Sequence, residues 1–477
     1  MKKIVLVLAV LLVLVSACKN PFLKKMLVEE EKGESSAVPK HTVTFSVEGG
    51  HGTLKAKADG VEETAKSPIS IERGKKVTFT AEPAAPYVVK EWKVDGIVVT
   101  GNTENSYIHT VTKAVDVKVS FDAPFVEGGA SLILSPNKLV ISVKAVTSDG
   151  SAVAVEGCTE TELTSGTVTV LHAKGTRVIL KGKITALGCD NNQLTALNVQ
   201  GLTALQGLDC HINQLTALNV QGLTALQGLD CLGNQLTELN VQGLTALQYL
   251  SCAGNRLTAL NVQGLTALKK LYCHNNQFTA LNVQGLTALE ELYCYNNQLT
   301  ALNVQGLTAL KKLYCHNNQL TELNVQGLTT LQTLNCWGNQ LTELNVQGCT
   351  ALQSLVCGSN QLTELNVQGL TALERLNCYN NQLTALNVQG LTALNALWCY
   401  SNKLNADAFK KLFDDLPQRA DSDDAKCYLY TEETDVSEGN HTDFTAPPDL
   451  AAAFNNAKNN KKWKMCKWNG SGSWVEI

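Results

Sequence analysis

Cysteine and histidine are the residue types in this chain best suited to chemistry, because thiolates and imidazoles bind metals and act as nucleophiles or bases. The chain has 16 cysteines and 8 histidines among 477 residues. Eleven of the cysteines recur at an interval of 21 residues, each followed three positions later by Asn. These are Cys189, Cys210, Cys231, Cys252, Cys273, Cys294, Cys315, Cys336, Cys357, Cys378 and Cys399. So strict a period indicates a repeated structural unit, and the cysteines must be interpreted by their place within it.

The repeated unit follows one pattern from residue 184 to residue 404, where eleven copies fit (units 1 to 11). In the copy at 205–225, numbered from its first residue, Leu occupies positions 1, 4 and 11, Cys position 6 and Asn position 9. This pattern resembles the signature of leucine-rich repeats, with Cys in place of one Leu. The resemblance implies a solenoid in which each unit adds one strand to a parallel sheet.

The residue types within one copy have separable physical roles. Leu208 and Cys210 alternate with exposed residues, which predicts a short strand with one face inward. The amide of Asn213 can satisfy backbone groups that a sharp bend would leave unpaired, and Gly222 marks the opposite turn. The remaining segment is too short and too β-branched for a helix. We therefore predict a mainly β solenoid with a parallel sheet and little helix on its convex side.

The eleven equivalent cysteines are predicted to form a packed column inside the solenoid, where a buried thiol acts as a small apolar side chain. Disulfides between neighbouring units would twist this column, so we expect free thiols. Cys349 occupies a position held by Leu in other units and is predicted to be core as well. Cys158, Cys427 and Cys466 lie outside the array, and the sequence leaves open whether Cys427 and Cys466 form a disulfide.

No residue pattern in the chain supports catalysis or a resident metal ion. His274 and His316 lie two predicted strands apart, about 10 Å, which is too far for both to ligate one ion through bonds of about 2 Å. Asp421, Asp423 and Asp424 lack the Gly and the distal Glu of a calcium-binding EF-hand loop. We therefore predict no enzyme activity, no cofactor and no bound metal.

The balance of charges argues against binding to nucleic acid. The chain has 39 basic and 43 acidic side chains, a formal net charge of −4, and no strongly basic segment. A protein that binds nucleic-acid phosphates usually carries a positively charged stripe. General disorder is excluded as well, because the apolar fraction of 44% is ample for a hydrophobic core.

The eleven units differ mainly at positions 2, 3, 5, 7 and 8, which are predicted to face solvent on the concave side. Most aromatic side chains of the array occupy positions 5 and 7. The predicted ligand-binding residues are Tyr272, His274, Tyr293, Tyr295, Tyr314, His316, Trp337, Tyr379, Trp398 and Tyr400. Clustered exposed rings are typical of binding surfaces, because rigid rings give contact area at a small cost in entropy. The alternative is relaxed constraint after duplication, with Tyr favoured as a strand former.

Charged pairs occupy positions 2 and 3 of three consecutive units, at 269–270 (Lys-Lys), 290–291 (Glu-Glu) and 311–312 (Lys-Lys). Adjacent parallel strands would place these pairs side by side as a ladder of alternating charge. We interpret the ladder as mutual neutralisation of exposed side chains rather than as a direct ligand contact.

The first 18 residues have the features of an export signal. A basic start precedes an apolar run over 4–15, which is shorter than the roughly 20 residues needed to span a bilayer. Residues 15–18 (Val-Ser-Ala-Cys) resemble a bacterial lipobox, which implies lipid attachment at Cys18; a plain cleaved signal is the alternative. Residues 19–40 are polar and predict a flexible tether. We therefore expect an exported lipoprotein at the outer membrane or cell surface, held to the membrane only by its N-terminal lipid.

Segments with other patterns flank the array. Residues 41–123 alternate apolar and polar side chains and predict a small antiparallel β domain. The run at 91–96 (Glu-Trp-Lys-Val-Asp-Gly) resembles the B-repeat modules of internalin-type surface proteins, which implies a β-grasp-like spacer or adhesion module. Because an array exposes its apolar core at both ends, residues 124–183 are predicted to cap one end and residues 405–477 to form an α+β cap at the other. Asn405 is the predicted N-cap of a helix.

As a set, the repeats, the flanking segments and the lipobox resemble the BspA-type leucine-rich repeat surface lipoproteins of spirochaetes and Bacteroidetes. The resemblance implies an outer-surface adhesin for host matrix proteins or other bacteria, and no ligand residue transfers from it. We therefore predict a surface-anchored adhesin whose concave aromatic face binds an extracellular host or bacterial protein, and no nucleic acid. The alternatives are a glycan-binding surface protein and a spacer that binds nothing.

Overall fold

The chain divides into an N-terminal part and a C-terminal part. The computed structural model describes residues 38–84, 87–433, 438–470 and 473–477. Within these ranges, one compact part comprises the residues up to Pro83 together with Val89–Phe121, and the other comprises the remaining described residues. The predicted signal peptide, the lipidated Cys18 and nearly all of the tether lie outside the described residues.

The N-terminal part contains two β-sheets. Its strands are β1 (Lys40–Glu48), β2 (Gly52–Ala58), β3 (Val61–Thr64), β4 (Ile69–Glu72), β5 (Lys76–Pro83), β6 (Val88–Val94), β7 (Ile97–Val98), β8 (Ser106–Thr110) and β9 (Val115–Asp122). One sheet has the order β4-β1-β9-β6-β7 and the other β3-β2-β5-β8. In β9, Val117 and Val119 are fully buried because alternate side chains of a strand point to one face. The expectation of purely antiparallel pairing is wrong, since β1 and β9 run parallel.

The C-terminal part begins with strands that lead into the array. These are β10 (Gly129–Leu134), β11 (Val140–Thr147), β12 (Val153–Glu156), β13 (Glu162–Leu163), β14 (Val168–His172), β15 (Arg177–Lys181), β16 (Ile184–Gly188) and β17 (Leu194–Asn198). A five-stranded sheet has the order β13-β12-β15-β10-β17. Strand β11 pairs antiparallel with β16, the strand of unit 1, and so joins the array sheet.

The array contributes one strand of three residues from each further unit. These are β18 (Gly207–Asp209), β19 (Gly228–Asp230), β20 (Tyr249–Ser251), β21 (Lys270–Tyr272), β22 (Glu291–Tyr293), β23 (Lys312–Tyr314), β24 (Thr333–Asn335), β25 (Ser354–Val356), β26 (Arg375–Asn377) and β27 (Ala396–Trp398). They pair parallel and in register, with Leu271 beside Leu292 for example, inside a sheet of 16 strands. The predicted mainly β solenoid with a parallel sheet is confirmed.

Behind the sheet, the repeated apolar side chains form one core. Leu271, Cys273 and Val283 have no exposed surface, and equivalent residues of the other units are buried in the same way. The core is continuous from Ala130 to Met465. The return path of each unit consists of turns and extended segments without helix, as predicted, and Gly222 takes the positive φ of 81° that its turn requires.

Two helices and three strands follow the array. They are α1 (Ala406–Asp415), β28 (Lys426–Thr431), α2 (Pro448–Asn455), β29 (Lys464–Trp468) and β30 (Trp474–Glu476), with a 3-10 turn at Asp421–Asp423 and a π-helical turn at Asn456–Asn460. Asn405 caps α1 as predicted, accepting a hydrogen bond from the Ala408 backbone N–H at 2.9 Å. Strand β28 pairs parallel with β27, so the sheet continues beyond the repeats. Neither helix, nor any other in the described ranges, has the length and apolarity needed to cross a membrane.

All fifteen cysteines of the described residues are buried free thiols, so the predicted column of unpaired cysteines is confirmed. Cys427 and Cys466 form no disulfide. The register of β28 and β29 places Met465 beside Cys427 and Cys466 beside Tyr428. Because successive residues of a strand point to opposite faces, the two thiols lie on opposite sides of the sheet.

Candidate functional site

The exposed face of the array sheet is built by short strands with one inward side chain each. In β22, Leu292 is fully buried, whereas Glu291 and Tyr293 are partly exposed. Positions 3 and 5 of each unit therefore point outward, and position 7 follows on the same side just beyond the strand. Equal positions form rows across the array, with about 4.8 Å between neighbours. We call this surface the exposed sheet face; it is the side that the sequence predicts to be concave.

The Asn at position 9 holds the bend that presents position 7. The Nδ2 atom of Asn297 donates hydrogen bonds to the carbonyl oxygens of Cys273, Cys294 and Tyr295, at 3.2, 3.0 and 3.3 Å. Its Oδ1 atom accepts from the backbone N–H of Phe278 at 3.1 Å. One buried amide thus satisfies backbone groups in two neighbouring units, and the bend beneath the exposed sheet face is fixed.

The row at position 5 of units 5–7 consists of Tyr272, Tyr293 and Tyr314. The rings of Tyr272 and Tyr293 stack with centroids 4.5 Å apart, and Tyr293 meets Tyr314 edge to face at 4.6 Å. Tyr249 extends the row at 5.6 Å from Tyr272. The sequence-based site missed Tyr249 because it occupies position 3 rather than 5. Partial burial, with the charge of Glu291, raises the pKa of Tyr293 to about 12, so its hydroxyl stays protonated at neutral pH.

The row at position 7 of the same units is a nearly parallel stack of His274, Tyr295 and His316. The centroid of Tyr295 is 4.2 Å from His274 and 4.3 Å from His316, with angles of 13° and 10° between planes. Both faces of Tyr295 are therefore covered. The Nδ1 atom of each histidine is buried without a hydrogen-bond partner. Burial lowers the pKa of both imidazoles, and the charge of His274 lowers that of His316 further, so the stack is neutral at pH 7.

Lysine and glutamate side chains form the row at position 3 beside these tyrosines. Glu291 lies between Lys270 and Lys312, with nitrogen–oxygen distances of 3.4 and 3.5 Å. It also accepts a hydrogen bond from the Tyr272 hydroxyl at 2.5 Å. Burial raises the pKa of Glu291, but the Tyr272 hydrogen bond and the charges of both lysines lower it overall. The predicted ladder of opposite charges is therefore formed.

A second aromatic group follows in units 8–11. Trp337 Nε1 donates a hydrogen bond to the Tyr379 hydroxyl at 2.5 Å, two strands away. Gly358 lies between them, and a Cβ there would be 2.8 Å from the Tyr379 ring, so the contact depends on glycine. Tyr379 in turn stacks on Tyr400 at 4.6 Å. Trp337 therefore joins this second group through a bond across Gly358.

The second group continues past the repeats. Trp398 stacks on Tyr428 of β28 at 5.0 Å, and Tyr428 meets Trp474 of β30 at 4.6 Å. The sequence-based site missed Tyr428 and Trp474, which lie outside the 21-residue period; the alternation of β28 around Tyr428 was the available signal. The ten predicted residues thus fall into two groups, one in units 5–7 and the other in units 8–11, and Val356 and Gly358 interrupt the second group at positions 5 and 7 of unit 9.

One further group of ligand atoms lies at the N-terminal end of the exposed sheet face. Among the residues that the structure describes, Asp190, Asp209 and His211 are the one set with ligand atoms close enough for a metal ion, all within 4.8 Å. His211 Nδ1 is 2.5 Å from Asp209, and its Nε2 is 3.9 Å from Asp190. Burial lowers the pKa of His211, but the Asp209 hydrogen bond and the surrounding carboxylates raise it overall. The carboxylates therefore favour the protonated form of this imidazole, which lies against them.

Comparison with known families identifies the repeats. Residues 287–328, which lie within the array, match the family model for leucine-rich repeats in two copies. Residues 287–328 are therefore leucine-rich repeats, and the other units of the array share their 21-residue pattern. No curated protein is similar enough in sequence to be matched.

Several solved structures resemble the chain. The functional domain of InlJ from Listeria monocytogenes, described as including a cysteine ladder, is 25% identical, with a TM-score of 0.41 over 62% of this chain and 75% of that one. An internalin of the same species is 23% identical, with a TM-score of 0.40 over 48% of this chain and 77% of that one. A leucine-rich repeat protein of Leptospira interrogans is 24% identical, with a TM-score of 0.45 over 58% and 82%. At TM-scores of this size the likenesses say nothing about a ligand.

Proposed function

We propose that this protein is a surface-anchored adhesin that binds host or bacterial proteins through the exposed sheet face of its leucine-rich repeats. The observation that carries the proposal is the pair of aromatic rows in units 5–7. Their partly exposed rings are already stacked on one another, so few rotamers remain to be ordered when a partner binds. Preorganised aromatic side chains at the centre of a surface are typical of protein-binding hot spots.

A glycan-binding face is the second candidate, because sugar rings stack on open aromatic faces. In units 5–7 those faces are occupied. Tyr272 and Tyr293 lie against each other at 4.5 Å, and Tyr295 is covered on both sides by imidazoles. Ring edges and the Nε2 atoms of the imidazoles are left for a partner, and these suit the polar groups and small apolar side chains of a protein surface. The arrangement therefore favours a protein ligand over a glycan.

The proposal includes attachment to the membrane through a lipid on Cys18 and export to the outer membrane or cell surface. Residues 41–123 would then act as a spacer or adhesion module between the lipid and the array. Residues 124–183 and 405–477 would cap the array, because they continue its sheet and core at both ends. Enzyme activity and a cofactor are not part of the proposal.

Replacing Tyr293, Tyr295 and Trp337 together with Ala tests the proposal. The full mature protein is measured by surface plasmon resonance against a panel of extracellular matrix proteins and a panel of glycans. We expect a protein to bind, and the triple variant to lose about 2 kcal/mol or more of binding free energy. The variant should stay folded, because each lost ring contact contributes only about 0.5–1.5 kcal/mol.

The matched control is Phe125→Ala, which removes a ring that is 61% exposed and lies outside the array. It should leave binding unchanged. A triple variant that binds normally would move the site away from units 5–8. Binding to glycans alone would support the second candidate, and binding to neither panel would leave the protein as a spacer.

A further inference from the structure

We propose that the middle of the exposed sheet face, in units 5–7, takes an acidic segment of the partner protein. This inference rests on the proposed function, because it specifies the chemistry of the partner at the same face. Two observations support it: the paired lysines of units 5–7 are more exposed than the glutamates with which they pair, and the neighbouring rows contain hydrogen-bond donors.

The charges of units 5–7 do not cancel at the surface. Positions 2 and 3 carry four lysines and two glutamates, namely Lys269, Lys270, Lys311, Lys312, Glu290 and Glu291. The Glu291 side chain is only 14% exposed, whereas the two lysines that share it are 46% and 41% exposed. Glu290 pairs with Lys311 at 2.7 Å, and Lys269 makes no ion pair with any residue that the structure describes. The ammonium groups therefore lie outermost, and the surface presents an excess of positive charge.

The neighbouring rows present hydrogen-bond donors. His274 and His316 each bury Nδ1 without a partner. An unpaired N–H costs more free energy in a buried position than an unpaired nitrogen lone pair does. The proton of each neutral imidazole is therefore assigned to Nε2. Tyr293 occupies position 5, between the lysine row at position 3 and this imidazole row at position 7, and its hydroxyl is protonated at neutral pH. Ammonium, hydroxyl and imidazole N–H groups on one rigid surface match carboxylates, which only accept hydrogen bonds.

The opposite charge at the N-terminal end of the face limits where such a segment can lie. Units 1–3 carry Asp190, Asp209 and Asp230 at positions 5 and 7, accompanied by His211 and, on β11 beside Gly188, by Lys144. Like charges placed together across an interface repel each other and exclude wrong registers. An acidic segment is therefore favoured over units 5–7 and disfavoured over units 1–3.

Selection from a displayed library of random 12-residue peptides on the full mature protein tests this inference. We expect the selected peptides to be enriched in Asp and Glu and to bind more weakly as salt is raised. Replacing Lys269, Lys270, Lys311 and Lys312 with Gln should weaken them about tenfold or more. The matched control changes four exposed lysines elsewhere to Gln, namely Lys57, Lys66, Lys76 and Lys174. It alters the net charge equally and should leave affinity unchanged.

A variant with only Lys269→Gln and Lys311→Gln leaves the surroundings of Glu291 intact, and circular dichroism checks the folding of each variant. Selected peptides that are neutral or basic, or acidic peptides that bind the lysine variant equally well, would overturn the inference. So would binding of heparin, a sulfated polysaccharide, that depends on these lysines while acidic peptides fail to bind. If neutral peptides bind and Tyr293→Ala with Tyr295→Ala abolishes that binding, the proposed function stands and only this inference fails.

Discussion

At the scale of single residues, the Asn at position 9 of the repeated unit joins the backbones of neighbouring units through several hydrogen bonds. Replacing Asn297 with Ala removes three donated bonds and leaves the Phe278 N–H without its acceptor in a buried position. Each unsatisfied buried group costs about 1–3 kcal/mol. We expect Asn297→Ala to lower the free energy of unfolding by about 3 kcal/mol or more, measured by denaturant titration followed by circular dichroism.

The control for this prediction is Gln298→Ala in the same unit. Gln298 follows Asn297 directly and is exposed. Substitutions at exposed positions usually change stability by no more than about 0.5 kcal/mol. If both variants unfold at the same denaturant concentration as the parent protein, the buried amide does not hold the bend.

At the scale of the repeated elements, we predict that the thiols of the cysteine column are unreactive in the folded protein. Burial raises the pKa of Cys294 and Cys336 to about 12, and the thiolate is the form that reacts. In native protein at pH 8 we expect the eleven column thiols to resist a thiol reagent. They should all react once the protein is unfolded in guanidinium. Rapid labelling of most of them without denaturant would contradict the packed column.

The stack of His274, Tyr295 and His316 should make stability depend on pH. Burial lowers the pKa of both imidazoles below the unfolded value of about 6.5, so their full contribution to the free energy of unfolding is present above pH 6.5. This contribution is lost as the pH falls from about 6.5 through the folded pKa, because in that range the unfolded chain binds more protons than the folded one. His211 has a raised pKa, so its contribution has the opposite sign.

The measurement is thermal unfolding at pH 7.5 and pH 5. We expect the unfolding temperature to fall less in a variant with His274→Gln and His316→Gln than in the parent protein. His211 is unchanged in both proteins, so it does not affect the difference. An equal fall in both proteins would show that the stack does not titrate in this range.

The array could be predicted from the 21-residue period of the sequence. The pairing partners of the strands outside the array could not. Leu271 and Cys273 could be placed inward because in-register stacking repeats one local pattern. Pairings between distant segments, such as β11 with β16 or β28 with β27, carry no such local signal. For the same reason, the sequence indicated the rows of units 5–7 but not the contribution of Tyr428 or the bond from Trp337 to Tyr379.

At the scale of the whole molecule, each unit contacts mainly its neighbours, and stability should be a sum over units and their interfaces. Deleting residues 352–372, which form unit 9, joins Ala351 to Leu373 and keeps every position in its row. We expect this protein to fold and to unfold cooperatively in circular dichroism. The proposed binding through units 5–7 should be retained, because those units are unchanged.

The matched control deletes residues 352–371, one residue fewer. The following units would then enter the sheet with their inward and outward positions exchanged, so we expect loss of cooperative unfolding. Equal stability of the two deletion variants would show that the units do not depend on a common register.

The separation of inward and outward positions has a consequence for how this surface can change over generations. The buried Leu, Cys, Asn and Val side chains determine the fold. The side chains at positions 3, 5 and 7 point outward and form a grid, with about 4.8 Å between neighbouring strands and about 6.6 Å between positions along a strand. A mutation at an exposed position of this grid, outside the stacked rings, usually alters stability by no more than about 0.5 kcal/mol. A lineage can therefore change the side chains that this face presents by single substitutions, each of which leaves a folded protein. Gly358 is an exception, because a side chain there would displace the Tyr379 ring.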